Sequence, residues 1–382
     1  MITNRVYRRI APAALAATLA LGIAACSSGG SSSAGSGGSA KSASSTSGPA
    51  KAAAQAVAAL TQRPTTLSIG PKVTKPIPTG KVLATINCGT DACTNMDGII
   101  KTAAATLGWT TLEIQTDGTA QQINNAWQEA IQKHVSGIVD VGTSRSQVET
   151  YIQQAKAAGI AVVIDSTTDS AGNGVLASIQ SGATTGVQGT DLGAWVANDA
   201  YKSGNPDASI LFVNVPDFQV LSSTASNWAT SIKKYCPDCK VQDLNIGLSS
   251  LQQATSTIES KLRSDPSIKY VVSTVQNVFD SVPPALKAAG IDVKVVGAVP
   301  SNVTLTQLRS GEVTAVTAFA AYEQSYAILD VFVRYYAGVI STAPPAPYKF
   351  ESWVLTKANA PSTNLFPIVA NLAQQYETAW GK

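Results

Sequence analysis

The feature that most constrains the fold is a regular alternation of short apolar runs with helical patterns, beginning at residue 81. Strand-like runs occupy 81–87, 110–116, 136–142 and 160–166, and segments whose apolar residues have helical spacing separate them. Parallel strands need such crossovers, and strands covered by helices on both faces have short, continuous apolar sequences. The pattern therefore predicts a parallel, doubly wound α/β sheet.

The same alternation of strand-like and helical segments resumes after residue 180 and predicts a second sheet of the same kind. Further strand-like runs occupy 208–214, 240–247, 268–274, 293–299, 312–319 and 348–357. We therefore predict an α/β fold of two doubly wound parallel-sheet lobes with a ligand cleft between them. The first lobe is expected at 80–185, completed by 320–340, and the second at 186–319, completed by 341–360. A C-terminal tail helix is expected at 361–382.

The N-terminus has the organisation of an exported lipoprotein. Residues 1–25 combine three arginines with an apolar run too short to span a bilayer comfortably, and small residues precede Cys26. This order predicts a signal peptide and lipidation of Cys26; a plain secretory signal with an incidental cysteine is the alternative. A Gly/Ser-rich flexible linker follows at 26–48, and a short helix with a Pro-rich connector at 49–79. We expect anchoring to the outer face of the cytoplasmic membrane.

The charge of the chain argues against nucleic acid as a partner. The whole chain has a formal net charge of +3, and loss of residues 1–25 removes three arginines and no acid, which leaves a neutral chain. A neutral chain lacks the basic surface that nucleic-acid binding requires. The basic pI therefore belongs mainly to the predicted signal peptide.

The sequence contains little that suggests catalysis. Its single histidine, His134, lies where a helix is expected to end, which favours a role as a helix-end cation. One histidine cannot form a zinc site of clustered histidines, and no nucleophile elbow, Walker loop or dinucleotide fingerprint is present. Asp91 and Asp165 could share a cleft and form the carboxylate pair that a hydrolase would need. We predict no enzymatic activity, no cofactor and no metal.

The four cysteines of the mature chain favour two local disulfides. Thiols tend to pair outside the cell, and Cys88 with Cys93 and Cys236 with Cys239 are the natural local pairs. A redox-active pair requires a helix N-terminus, whereas Cys236 is expected at a helix end and Cys239 at the start of a strand. We therefore predict structural disulfides at both places.

Several motifs, taken in order, resemble the type I periplasmic binding proteins of the ribose/galactose class. They are MDGIIKTAAATLGW (96–109), HVSGIVDVG (134–142), AAGIAVVIDS (157–166), DPSIKYVVST (265–274), LKAAGIDVKVVGAV (286–299) and LRSGEVTAVTAF (308–319). The resemblance covers residue 80 to about residue 357. It implies a monomeric solute receptor whose lobes close around a small molecule, and an ABC permease in the membrane as its partner.

The ends of the predicted strands supply the candidate ligand residues, because ligands of such sheets bind beyond the carboxyl ends of the strands. Asp165 stands where the family has a sugar-binding aspartate, and Ser166 replaces the arginine that usually follows it. Asp91 is equally consistent with a helix N-cap, and each aromatic candidate with core packing. The full candidate set is Thr90, Asp91, Asp165, Ser166, Asp217, Phe218, Thr224, Gln276, Asn277, Phe279 and Phe319.

Three functions are consistent with the sequence. The first is a lipid-anchored solute-binding protein that delivers a sugar, or a less polar sugar-like molecule, to an ABC importer. The second is a sensor that presents its ligand to a membrane receptor. The third, an extracellular hydrolase that uses Asp91 and Asp165, has the least support, because nothing in the sequence marks either carboxylate as an acid of raised pKa.

Overall fold

The computed structural model describes residues 48–179, 182–216, 220–341 and 350–382, and within these ranges not the side chains of 182–185, 248–249 and 276–277. The predicted signal peptide, Cys26 and most of the Gly/Ser-rich linker lie outside the described residues.

The first sheet has five parallel strands in the order β2-β1-β3-β4-β5. Its strands are β1 (Val82–Ile86), β2 (Thr110–Ile114), β3 (Gly137–Val141), β4 (Ala161–Asp165) and β5 (Ala177–Ser178). The crossovers between its first four strands are helices α2 (Asp91–Thr106), α3 (Ala120–Gln132) and α4 (Arg145–Ala157). The order reverses between β1 and β3, as a doubly wound sheet requires.

The second sheet has six strands in the order β11-β10-β9-β8-β6-β7. Its strands are β6 (Ser209–Asn214), β7 (Lys240–Asn245), β8 (Ile268–Ser273), β9 (Lys294–Ala298), β10 (Ala315–Thr317) and β11 (Val354–Thr356). Its helices are α5 (Gly182–Lys202), α6 (Leu221–Tyr235), a 3-10 helix (Leu248–Gln253), α7 (Ala254–Ser264), α8 (Gln276–Ala288) and α9 (Asn302–Ser310). The α/β class is confirmed, but the sheet is not wholly parallel, because β11 runs antiparallel to β10.

Alternation along the strands buries both faces of the first sheet. Leu83, Val139 and Val163 belong to a cluster on one face, which α2 and the long helix α10 (Ala321–Tyr336) cover. Ala84, Ile138 and Val162 belong to the opposite cluster with residues of α3 and α4. Helix α10 follows β10 of the second sheet but packs on the first, so it carries the chain back between the lobes.

Two terminal segments run alongside the lobes. Helix α1 (Gly48–Leu60) packs on α5, where Ala53 and Val57 are buried in the core of the second lobe. The connector after it places Val73 in the core of the first lobe. Near the C-terminus, Ile368 is buried with residues of the second lobe. Helix α11 (Leu372–Ala379) is buried against the first lobe.

These segments hydrogen-bond to each other, and we call residues 61–80 and 361–382 together the strap. The amide of Ala370 donates to the Pro64 carbonyl at 3.1 Å, and the amide of Val73 donates to the Ala379 carbonyl at 2.7 Å. Arg63 donates from Nη2 to the Pro367 carbonyl at 2.9 Å. The strap therefore connects the two lobes in addition to the segments by which the chain passes from one sheet to the other. Only 372–379 of the predicted tail helix is helical.

Candidate functional site

The carboxyl ends of the two sheets form the candidate site. In each sheet the strand order reverses once, between β1 and β3 in the first and between β6 and β8 in the second. Loops leave in opposite directions at such a point and open a crevice beyond the strand ends. The loop after β1 and the residues after β4, β8, β9 and β10 all lie at these ends.

The loop between β1 and α2 is held rigidly. The Cys88–Cys93 disulfide closes it, as predicted, with the two Cα atoms 5.8 Å apart. The Oδ1 atom of Asn87 accepts a 2.7 Å hydrogen bond from the amide of Gly89. Gly89 has φ +80°, and a Cβ atom there would lie 2.8 Å from the Asp117 carbonyl carbon, so glycine is required.

Thr90 and Asp91 lie in this loop with different roles. Thr90 is the N-cap of α2, where its Oγ1 accepts from the amide of Cys93 at 3.5 Å. Asp91 is the first helical residue, and its side chain is exposed. The N-cap of α2 is therefore Thr90 and not Asp91, and the Asp91 carboxylate is accessible at the rim of the first lobe. A carboxylate in the first helical turn also interacts favourably with the helix dipole.

Asp165 ends β4 and is completely buried. Its Oδ2 atom accepts a 2.9 Å hydrogen bond from the hydroxyl of Ser166, whose backbone has the left-handed φ of +56°. Alternation along β4 places Asp165 on the same face as Ala161 and Val163, the face that α10 covers. Asp91 is exposed and Asp165 is buried, which gives no support to their acting as a hydrolytic pair.

Two candidates of the second lobe have packing roles. Phe279 is fully buried in the core, and a Cβ atom on Gly297 of β9 would lie 1.8 Å from its ring. Thr224 is also fully buried, where α6 meets α5; a Cβ atom on Gly189 would lie 2.0 Å from its carbonyl oxygen. Sequence position alone could not separate strand-end residues that face the core from those that face the cleft. Neither side chain is therefore proposed as a ligand contact.

Phe319 lies between β10 and α10, partly buried against the core of the first lobe. Gln276 and Asn277 begin α8 at the carboxyl end of β8, with their side chains outside the described residues. Asp217 and Phe218 also lie outside the described residues. Of the candidates, the structure thus places Thr90, Asp91, Asp165, Ser166 and Phe319 at the carboxyl ends with described side chains.

Sequence reasoning missed a run of buried polar residues at the start of α10. Glu323, Gln324 and Ser325 are each 0% exposed. Glu323 accepts from the amide of Val369 at 2.9 Å, and Ser325 donates to the Met96 carbonyl at 3.4 Å. Neither side-chain atom of Gln324 has a hydrogen-bond partner. The available signal was three consecutive polar residues in a helix whose other residues, apart from Asp330 and Arg334, are apolar or aromatic.

Burial raises the pKa of several carboxyl groups in the first lobe. It raises the pKa of Glu323 to about 7, partly offset by hydrogen bonds from the backbone at 368–369. It raises the pKa of Asp140 to about 6, although Asp140 Oδ2 accepts a 2.6 Å hydrogen bond from Trp127 Nε1. Asp97, which accepts from Asn87 Nδ2 at 2.8 Å, also has a raised pKa because it is buried. Desolvation therefore outweighs hydrogen bonding at all three.

Cavities also occur away from the strand ends. One of about 480 Å³ lies beside the amino end of β4, where Ala161 and Tyr335 line it. Another of about 650 Å³ lies between α6 and the edge strand β7, beside the second predicted disulfide, Cys236–Cys239. Neither cavity is lined by a predicted ligand residue.

Within the described residues, no cluster of histidine, cysteine, aspartate or glutamate could hold a metal ion. Over the same part of the chain, no helix combines the length and apolar character needed to cross a membrane.

The structure thus has two α/β lobes, and the carboxyl ends of their strands supply buried and accessible polar groups. The family model described as "Periplasmic binding protein domain" matches residues 83–338, which is more than half of the chain. The protein therefore belongs to the periplasmic binding protein family, whose members bind solutes outside the cytoplasm and are not enzymes. The predicted family is thus confirmed.

Solved structures of this class have the same fold. A solute-binding protein from Burkholderia graminis in complex with D-arabinose is 20% identical with a TM-score of 0.62; the match covers 76% of this chain and 100% of that one. A carbohydrate transporter protein from Acidothermus cellulolyticus in complex with myo-inositol is 20% identical with a TM-score of 0.59, over 78% and 99%. A Mycobacterium smegmatis protein in complex with β-D-fucofuranose is 18% identical with a TM-score of 0.61, over 79% and 98%. No curated protein sequence matches the chain significantly.

Proposed function

We propose that this protein is a lipid-anchored solute receptor that captures a neutral sugar or sugar-like molecule between its lobes and delivers it to an ABC importer. The observation that carries the proposal is the pair of doubly wound sheets with their carboxyl ends as the candidate site. Membership of the binding-protein family and the sugars and polyol bound by the similar structures support it.

The described part of the site disfavours an anionic ligand. Its charged groups are carboxylates, Asp91 and Asp165, which would repel an anion. Arg145, the cation that follows β3, is already engaged: its Nε pairs with Glu149 at 2.7 Å and its Nη2 donates to the Asn173 carbonyl at 3.0 Å. Hydroxyl groups suit such a site because they both donate and accept hydrogen bonds.

The proposal is tested by measuring the unfolding temperature of the full chain in detergent against a panel of ligands. The panel contains D-arabinose, D-galactose, D-glucose, myo-inositol, nucleosides, amino acids and aromatic acids. A ligand that binds only the folded state raises this temperature with concentration. A shift with a sugar or polyol supports the proposal, whereas a shift only with another class corrects the ligand. A panel without any shift contradicts the solute-receptor function and favours a partner-binding role.

The anchoring part of the proposal has a separate test. Mass spectrometry of the protein from membranes should show an acylated Cys26 as the first residue, and Cys26→Ala should release the protein into the soluble fraction. An unmodified chain cleaved elsewhere would show that the N-terminus is a plain secretory signal.

A further inference from the structure

Gln324 is a buried primary amide without a partner. Its side chain is 0% exposed, and neither Oε1 nor Nε2 has a hydrogen-bond partner within the protein. Leaving a buried amide unpaired is unfavourable because its desolvation is not compensated, and each such group in a native structure calls for an explanation. The neighbouring side chains are each bonded at least once, because Glu323 and Ser325 bond to Val369 and Met96. The carboxamide of Gln324 therefore lacks a hydrogen-bonding group, which a molecule outside the protein chain would have to supply.

The direction of α10 places Gln324 at the carboxyl edge of the first sheet. At the C-terminal end of the helix, the hydroxyl of Tyr336 donates to the Ser136 carbonyl at 2.5 Å, and Phe332 packs on Gly137, at the amino end of β3. Gln324 precedes Phe332 by eight residues, which is about 12 Å along the helix. The five residues of β3 span about 13 Å. The two lengths are nearly equal, so Gln324 lies level with the carboxyl end of β3. Near its N-terminus the helix meets Met96, in the second turn of α2, which also starts at the carboxyl edge.

The helical period places Gln324 on the face of α10 that looks toward β4. Gln324, Ile328, Val331 and Tyr335 share this face. Tyr335 lies with Ala161, at the amino end of β4, around one cavity. Eleven residues earlier in the helix, the same face reaches the carboxyl end of β4, where Asp165 lies on the side that α10 covers. Gln324 and Asp165 therefore occupy the same side and the same edge of the sheet.

We infer that Gln324 is a ligand-binding residue of the cleft, whose carboxamide hydrogen-bonds a hydroxyl or amide group of the bound solute beside Asp165. The inference rests on the proposed solute-receptor function. A carboxamide offers two donors and an acceptor, whereas a carboxylate accepts only. Together they recognise a group that donates to one neighbour and accepts from another, as adjacent hydroxyls of a sugar ring do.

The test compares wild type with Gln324→Met, an unbranched apolar replacement of similar size, and with Ser325→Ala as the matched control. Because the amide is unpaired in the free protein, the methionine variant should unfold about 2 °C or more above wild type. Its affinity for the panel sugar that binds wild type should fall about tenfold. Ser325→Ala loses only its bond to Met96, so its affinity should equal that of wild type.

Titration with monodeoxy analogues of the same sugar identifies the contacted hydroxyl. Wild type should discriminate against one analogue, and the Gln324→Met variant should no longer do so. Unchanged affinity of the methionine variant, with wild type binding a sugar, overturns the inference and shows that a resident water satisfies the amide. A lower unfolding temperature also overturns it, because it shows that the amide has a partner within the protein. Failure of wild type to bind any panel compound instead contradicts the proposed function itself.

Discussion

Among single residues, the buried carboxyl groups have the clearest effect on how the stability of this protein depends on pH. Asp140 lies inside the first sheet and is completely buried, with Trp127 Nε1 as its donor. Its pKa is raised to about 6 because burial disfavours the charged form. The folded state therefore holds this proton more tightly than the unfolded chain. Stability falls as the pH rises from the ordinary value of 3.8 to about 6, and stays lower above that.

Asp140→Asn should remove this penalty while its amide oxygen still accepts from Trp127. At pH 7.5 we expect the free energy of unfolding to rise by up to about 3 kcal/mol, at roughly 1.4 kcal/mol for each tenfold change in proton affinity. At pH 4 the variant and wild type should be nearly equal. Urea unfolding at both pH values measures the difference. A variant that is less stable at pH 7.5 would show that the ionised carboxylate is stabilised by its surroundings.

Asp117→Asn is the matched control for the sign of this effect. Asp117 is exposed, and hydrogen bonds from the Thr119 hydroxyl and amide lower its pKa. Its contribution is therefore present at neutral pH and lost as the pH falls through the acid range. The asparagine variant should be slightly less stable than wild type at pH 7.5, opposite to Asp140→Asn.

At the scale of elements, the contact between α5 and α6 is set by glycines. Gly189 and Gly193 of α5 face α6 so closely that a Cβ atom would lie 2.0 Å from the Thr224 carbonyl oxygen and 2.6 Å from the Ser231 side chain, respectively. Such distances require the helices to separate. Gly98 of α2, by contrast, is exposed and has nothing within 4 Å of its Cβ position.

Gly189→Ala and Gly98→Ala should therefore have opposite effects on stability. Gly189→Ala is expected to lower the free energy of unfolding by about 3 kcal/mol or more, because overpacking forces backbone shifts. Gly98→Ala should raise it by roughly 0.5–1 kcal/mol, since alanine is the better helix former. Chemical denaturation measures both. Equal effects of the two variants would contradict the close packing of α5 on α6.

Helix α11 contributes aromatic side chains to the core of the first lobe. The ring of Trp380, just after the helix, stacks on Tyr326 with centroids 5.9 Å apart, and its Nε1 donates to Asp330 at 2.9 Å. Trp380→Ala should lower the free energy of unfolding by about 3–5 kcal/mol. Trp380→Phe keeps a ring and loses the hydrogen bond, so its loss should be smaller. An alanine variant as stable as wild type would mean that the tail does not hold the first lobe together.

The secondary-structure elements differ in how far the sequence could predict them. The apolar runs of β1, β3 and β4 and the helical spacing between them are local patterns, so both sheets and both disulfides were predictable. The direction of β11 was not, because it depends on where the chain returns after α10. Phe279 and Thr224 lie in the helices that follow two strands of the second lobe, but which way a helical side chain faces depends on tertiary packing, which the sequence does not show. The sequence could not single out Gln324, because only the structure shows that its buried carboxamide has no hydrogen-bond partner.

At the scale of the whole molecule, raised carboxyl pKa values act together. Burial raises the pKa of Asp140 to about 6, and those of Asp191 and Glu323 to about 7. All three bind protons more tightly in the folded state, so the folded protein gains protons relative to the unfolded chain between about pH 4 and 7. The unfolding temperature should therefore be higher at pH 5 than at pH 8. A higher value at pH 8 would show that the favourable contacts of these carboxylates exceed their desolvation.

The strap also determines when folding can finish. The first lobe begins with Val73 and β1, yet its core is completed by Leu372, Tyr376 and Trp380. A chain that emerges from its N-terminus would thus hold an unfinished first lobe, with the surface of Tyr326 uncovered, until nearly all of it had appeared. The second lobe also receives late parts, the edge strand β11 and Ile368, but both precede helix α11 in the chain. The cores of the two lobes are therefore completed at different stages of synthesis. The first lobe begins earlier in the chain, and its core is completed last.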